Sequence, residues 1–189
     1  MADAALRARS PLEGFAFPAS QRFTLSEAPP AARFILRGSE AVRLACGMVF
    51  GPEPPPQLGP AAEADKRAAL WLGPDEWLLI ADGADAATIA DVLEHVLDGT
   101  AHSLVDVSHR QIGLTAAGPA AARVLNAGCP LDLDPRAFPV SVATRTLFDK
   151  VEIVLWRRAE ATFRVEVWRS FAPYLAASLA EAARGAPLW

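Results

Sequence analysis

Two β-α-β-β-α units with antiparallel sheets, an α+β fold, are what this sequence predicts. Three observations carry the prediction: an order of elements that recurs after about eighty residues, a hairpin in each half, the first around turn residues, and a closing helix in each half that carries one apolar stripe. The length of 189 residues leaves room for one domain or two small halves.

In chain order, residues 1–20 hold Pro11 and Pro18 and no sustained period, so they read as an extended arm. Residues 33–38 read as a strand and 39–49 as a short helix with Ser39 at its cap. Pro52, Pro54, Pro55 and Pro56 forbid helix over 51–59 and favour a stiff connector. Residues 68–72 and 77–81 flank Gly73-Pro74-Asp75-Glu76 and form a hairpin. Asp85 caps the next helix, in which Ile89, Val92, Leu93, Val96 and Leu97 fall at i, i+3, i+4, i+7 and i+8.

The second half echoes this order. Residues 111–115 form a strand, Gly118-Pro119 opens a helix over 120–127, and Gly128 stops it. Residues 151–156 and 162–168 form the second hairpin around 157–161. Ser170 then caps a helix with Pro173 in its first turn and a stripe of Phe171, Tyr174, Leu175 and Leu179. Helices this short are marginal alone, so each must lie on a sheet. With one more strand, for which Leu104-Val105-Asp106-Val107 joining the halves is the candidate, a unit becomes a ferredoxin-like split-βαβ layer with helices on one face. The expected plan is an arm at 1–20, a first unit at 21–105 with a Pro-rich loop at 51–60, and a second unit at 106–189.

Composition narrows the function classes. A net charge of −4 disfavours a chain whose work is to neutralise phosphates, so no nucleic-acid partner is expected. Two cysteines build no disulfide framework. No export-type apolar run opens the sequence and no stretch reaches the 18 apolar residues of a membrane span, which points to a cytoplasmic chain without a membrane partner. The hydrophobic share of 52% and mean hydropathy of +0.19 leave more apolar surface than a solitary domain needs, which points toward a protein partner.

Candidate chemistry is sparse. His95, His102 and His109 are evenly spaced but fall on a helix, in a loop and past a strand end, which gives no metal-ligand geometry. In Asp106-Val107-Ser108-His109 successive side chains point to opposite faces, so Ser108 and His109 make a poor nucleophile and base; a strand-to-loop corner is favoured, with a role for His109 left open. Cys46 and Cys129 lie near helix C-termini and are assigned to packing. Neither a dinucleotide nor a P-loop fingerprint occurs. No residue is therefore assigned to catalysis, cofactor binding or metal. The second hairpin sets Val151, Ile153, Leu155, Phe163, Val165 and Val167 on one face and mixes Trp, Arg and Glu on the other. Trp156, Arg164, Glu166, Trp168 and Arg169 are thus a candidate partner-contact patch, with packing on the other half of the same chain the favoured alternative.

Leu104-Val105-Asp106-Val107-Ser108-His109-Arg110-Gln111-Ile112-Gly113-Leu114, Gly118-Pro119-Ala120-Ala121-Ala122-Arg123-Val124-Leu125-Asn126, Cys129-Pro130-Leu131-Asp132-Leu133 and Ala143-Thr144-Arg145-Thr146-Leu147-Phe148 together resemble the gamma subunits of heterotetrameric sarcosine oxidase. Phe163-Arg164-Val165-Glu166-Val167-Trp168-Arg169-Ser170-Phe171, Leu72-Gly73-Pro74-Asp75-Glu76-Trp77-Leu78 and Arg9-Ser10-Pro11-Leu12 extend the resemblance over nearly the whole chain. It implies a complex of four different subunits that demethylates sarcosine to glycine, forming hydrogen peroxide and, with tetrahydrofolate, methylene-tetrahydrofolate. It places FAD, FMN, NAD, tetrahydrofolate and zinc on the other chains and makes this chain an assembly subunit that meets the large (alpha) subunit and, through it, beta and delta.

A wider similarity to the aminomethyltransferase and folate-binding superfamily implies the aminomethyltransferase folate-binding fold. That group carries a Gly-Gly stretch and paired Asp where this chain reads Leu147-Phe148-Asp149-Lys150-Val151-Glu152, so no folate-holding carboxylate is carried across. The rival reading is a stand-alone folate-dependent aminomethyltransferase-like protein, for which Asp149 and Glu152 are the nearest candidate acids.

Overall fold

A strand that is apolar on both faces must be covered on both, and residues 77–81 of the first half have this character, while residues 162–168 of the second are apolar on one face and carry Arg and Glu on the other. In the computed structural model, which describes residues 9–185, the chain runs β1 (Thr24–Glu27), β2 (Ala31–Gly38), α1 (Glu40–Phe50), β3 (Gly59–Pro60), β4 (Ala62–Ala64), β5 (Arg67–Gly73), β6 (Glu76–Asp82), α2 (Ala86–Leu97), β7 (His102–Asp106), β8 (Gln111–Ala117), α3 (Ala121–Asn126), β9 (Val142–Phe148), β10 (Val151–Ala159) and β11 (Thr162–Trp168). A 3-10 turn, Arg169–Phe171, leads into α4 (Ala172–Gly185). One antiparallel sheet has the order β4-β5-β6-β2-β7, the other β1-β8-β11-β10-β9-β3.

The two sheets stack face to face, with a helical layer outside each. Phe34, Leu36, Trp77 and Leu79 turn outward from the first sheet onto Val42, Cys46 and Phe50 of α1 and Ile89, Leu93 and Leu97 of α2. Leu114, Ile153, Leu155, Phe163 and Val165 do the same from the second sheet onto Val124 and Leu125 of α3 and Leu175 and Leu179 of α4. Between the sheets, Leu70, Leu78 and Ile80 meet Ala143, Val154 and Trp156. Burial on both faces is why β6 and β11 are almost wholly enclosed.

The strand expected at 104–107 is β7, which closes the first sheet beside β2, from Phe34 opposite Asp106 to Gly38 opposite His102. The closing strand of the second sheet departs from the expected plan. Thr24–Glu27, assigned by sequence to the first unit, instead pairs with β8, Thr24 opposite Ala117 and Glu27 opposite Leu114. Gly59–Pro60 likewise adds to β9 of the second sheet. The first half thus donates backbone to both edges of the second sheet, β1 filling the edge of β8 that no later strand fills and β3 adding to β9. The arm follows β1: Leu12 is buried in the core under the second sheet, Leu25 N donates to Pro18 O at 3.0 Å, and Ser10 Oγ donates to Glu27 Oε2 at 2.6 Å. Residues 1–8 of the arm and 186–189 lie outside the described residues.

Helix ends and stripes also refine the sequence reading. Asp85 caps α2 as expected, accepting from Thr88 N at 3.1 Å. Ser39 precedes α1 without a side-chain cap, and Ser170 lies inside the 3-10 turn rather than capping α4. In α2 the buried side is Ile89, Leu93 and Leu97, with Val92 exposed; in α4 it is Ala172, Leu175, Ala176, Leu179 and Ala180, with Tyr174 exposed, as is Phe171 of the 3-10 turn. The alanine-rich side of α4 faces the core, which turns the aromatics outward. The Pro-rich connector is pinned by side chains: Arg43 Nη1 donates to Pro54 O at 3.0 Å, and Trp77 Nε1 to Pro55 O at 2.7 Å.

Candidate functional site

The alternation of β11 sends Arg164 and Glu166 toward the first sheet, where β2 supplies Arg33. Glu166 accepts from Arg33 Nε at 2.6 Å and from Arg164 Nε at 2.7 Å, and Arg164 Nη1 donates to both carboxylate oxygens of Asp82 at 2.9 and 3.1 Å. Arg33, Arg164 and Glu166 are buried, and Asp82 closes the chain of charges toward the surface. Burial opposes ionisation of Glu166, yet the charges of Arg33 and Arg164, with their hydrogen bonds, outweigh it and hold the carboxyl below its usual range. Arg164 is likewise opposed by burial and held protonated by Glu166 and Asp82.

Gly113 of β8 makes the space. A Cβ there would lie 2.7 Å from Glu166 Oε1 and 3.1 Å from Arg33 Nη2. The backbone amide of Arg33 donates to Ser108 Oγ at 2.9 Å, and Ser108 N donates to Asp106 Oδ1 at 2.8 Å, so the Asp106 to His109 segment is a corner that ties β7 to β2. Beside the charged cluster a crevice of about 560 Å³ opens between the units, lined among others by Arg33, Asp85, Ser108, His109 and Gln111.

The sequence-predicted patch is divided by the fold. Trp156, Arg164 and Glu166 are covered by the first sheet of the same chain, so they are inter-sheet packing and not a partner surface. Trp168 and Arg169 lie two and three residues beyond Glu166 and remain exposed. Arg33 and Asp82 complete the cluster and carried no sequence signal, since both lie on the other half of the chain. The histidines stay apart in role: His95 and His109 are exposed, while His102 bonds the Thr100 carbonyl at 2.7 Å, which together with Glu94 raises its pKa. Among the described residues no group of three or more His, Cys, Asp or Glu is placed to hold a metal ion.

Cys46 and Cys129 are both buried free thiols, and burial pushes Cys46 up to about 12. Asp149, in the turn between β9 and β10 at φ 50°, is exposed, and Glu152 is exposed beside Arg145. No helix among the described residues is long and apolar enough to cross a membrane.

The family model described as "Sarcosine oxidase, gamma subunit family" matches residues 39–185. Sarcosine oxidase subunit gamma of Arthrobacter sp is 40% identical over 112 residues, 59% of this chain and 54% of that protein. The same subunit of Corynebacterium sp. (strain U-96) is 39% identical over 111 residues, 59% and 53% respectively. These alignments span about half the length of the curated relatives. Among solved structures, a chain of the heterotetrameric sarcosine oxidase from Corynebacterium sp. U-96, in complex with pyrrole 2-carboxylate, superposes with a TM-score of 0.88 at 31% identity, covering 96% of this chain and 99% of that one. The glycine cleavage system aminomethyltransferase T from Bartonella henselae shares the fold, with a TM-score of 0.63 at 17% identity over 85% of this chain and 46% of its own.

Proposed function

The chain belongs to the sarcosine oxidase gamma subunit family, and we propose that it is the gamma subunit of a heterotetramer that oxidatively demethylates sarcosine to glycine, with hydrogen peroxide and methylene-tetrahydrofolate as products. The observation that carries this reading is the near-complete superposition on a chain of a heterotetrameric sarcosine oxidase. In this reading the chain supports assembly. FAD, FMN, NAD, tetrahydrofolate and zinc belong to other subunits, and the large (alpha) subunit is its direct neighbour, with beta and delta reached through it.

The chain's own buried ionisable groups favour a structural part. Glu166, Arg33, Arg164 and Asp82 are bonded to one another across the two sheets, which is the arrangement that locks two layers in register.

Co-expression with the other three subunits tests the proposal. The expected result is a four-subunit complex with sarcosine-dependent peroxide formation, while the isolated chain neither binds flavin nor oxidises sarcosine. A chain that stays apart from the others when all are present would overturn it. Saturable, tight tetrahydrofolate binding by the isolated chain, followed by tryptophan fluorescence, would instead favour a stand-alone aminomethyltransferase-like protein.

A further inference from the structure

Trp168 ends β11, Phe171 closes the 3-10 turn and Tyr174 falls in the first turn of α4. Phe171 and Tyr174 are three positions apart and so share a face. Among the described residues these are the aromatic members of the exposed large hydrophobic side chains, at 39, 45 and 45% exposure. Their exposure has a local cause: Trp168 follows Glu166 on the same strand face but lies past the part the first sheet covers, and the alanine-rich side of α4 takes the core contact.

The patch is ordered rather than loose. The Arg110 guanidinium lies 4.5 Å from the centre of the Trp168 ring, and the Phe171 ring is tilted against Trp168 at 6.4 Å. Arg169 N donates to Arg110 O at 2.7 Å, and the Arg169 guanidinium donates to the Arg9 carbonyl. A shallow cavity of about 540 Å³ adjoins these groups, lined by Pro11, His109, Arg110, Trp168, Arg169 and Pro173 with Ser170, and no carboxylate is among its lining.

A basic, aromatic surface on a chain of net charge −4 is matched by an apolar segment that carries carboxylates. Trp, Tyr and Arg are also the residues that dominate binding energy at protein interfaces. By contrast, Leu44, Met48 and Val92 on the first unit's helices are exposed aliphatic residues without aromatic anchors.

We propose that Trp168, Phe171 and Tyr174, flanked by Arg110 and Arg169, form the docking surface for an acidic, apolar segment of a neighbouring subunit. The proposal rests on the assembly reading above and adds the face and the partner chemistry.

The test uses the full set of subunits, captured through a tag on this chain. Wild type and the remote control Met48→Asp should retain the other subunits. The double variant Phe171→Asp, Tyr174→Asp should lower apparent affinity at least about tenfold. Arg110→Ala should weaken binding more at low salt than at high salt, as loss of a charge attraction requires. Hydroxyl-radical footprinting of the unmodified complex checks the same point without any variant: Trp168, Phe171 and Tyr174 should be protected relative to the free chain and Met48 should not. Equal labelling of the aromatics in both states, or full retention of the subunits by the double variant, overturns the proposal while leaving the assembly reading in place. Failure of wild type to assemble overturns both. Protection that arises from pairing of two copies of this chain makes a second copy the occupant and also overturns it.

Discussion

The two units lay down the same four strands in the same order, β5-β6-β2-β7 and β10-β11-β8-β1, and yet meet each other with opposite chemistry. Arg33 on β2 and Gly113 on β8 each stand five residues before the glycine at or just past the strand end, Gly38 and Gly118. Their cross-strand neighbours are Ile80 and Glu166, and two residues along, Leu78 and Arg164 occupy matching positions. The first unit therefore offers Arg33 among aliphatic neighbours with Asp82 at the end of β6, and the second offers a glycine beside an ion pair. This teaches that a symmetric frame is docked asymmetrically: Arg33 fits where Gly113 leaves room, and no exchange of the two faces would preserve that fit.

Breaking the charged side should give the largest effect. Glu166→Ala leaves Arg33 and Arg164 buried without their shared anion, and a loss of about 3–5 kcal/mol is expected in urea unfolding. Converting the cluster to the first unit's chemistry sharpens the comparison. The triple variant Arg33→Leu, Arg164→Leu, Glu166→Ile should recover most of that loss, because an apolar replacement leaves no unpaired charge in the buried part of the cluster and Asp82, which loses Arg164, reaches solvent; a triple variant as unstable as the single one would show that the ions contribute more than register. Acid gives the same contrast without full removal. The Glu166 carboxyl is held below its ordinary range, so its contribution is complete above the unfolded-state value near about 4.3 and is lost as pH falls through the folded value. The triple variant should lack this part of the acid sensitivity.

The second contrast is in how each sheet closes. In the first unit β7 follows α2 directly along the chain, whereas the second unit takes β1 from ninety-odd residues away, and the approach is tight. Gly118 has φ +111°, and a Cβ on it would lie 2.4 Å from the Arg22 carbonyl, which also accepts from Ala120 N at 3.0 Å. Gly118→Ala should therefore cost about 1–3 kcal/mol by overpacking. Hydrogen exchange should rise first in β1 and the arm. Exchange that rises uniformly over both sheets would show that β1 is no weaker than β7.

Much of this frame was legible in the sequence because it is local. The first hairpin shows its turn residues and the second shows period two, α2 has its cap three residues before Thr88, and the echo of strand and helix needs no tertiary knowledge. The place of β1 was not legible, since four residues give too short a pattern and their partner is far along the chain. The face shared by Trp156, Arg164 and Glu166 could be read from alternation, but not what covers it: Arg33 and Asp82 come from strands whose own pattern says nothing of an opposite charge across the sheets. Trp168 shows the same limit from the other side. It continues the face of Glu166 and yet is exposed, because only the spatial reach of the first sheet decides where burial stops.

The smallest effect separates the two closing helices. Asp85 accepts from both the backbone amide of Thr88 at 3.1 Å and its hydroxyl at 2.8 Å, and these bonds lower its pKa. Ser170 sits inside a 3-10 turn that already absorbs the first amides of α4, so its hydroxyl has no capping task. Asp85→Ala should lower the melting temperature slightly, and Ser170→Ala should leave it unchanged. The Asp85 effect should fade as pH falls through the depressed folded pKa, because a protonated carboxyl is a weaker acceptor for the Thr88 amide. An equal loss from both substitutions would mean that the 3-10 turn depends on Ser170 after all, and the two helix starts would then share one mechanism.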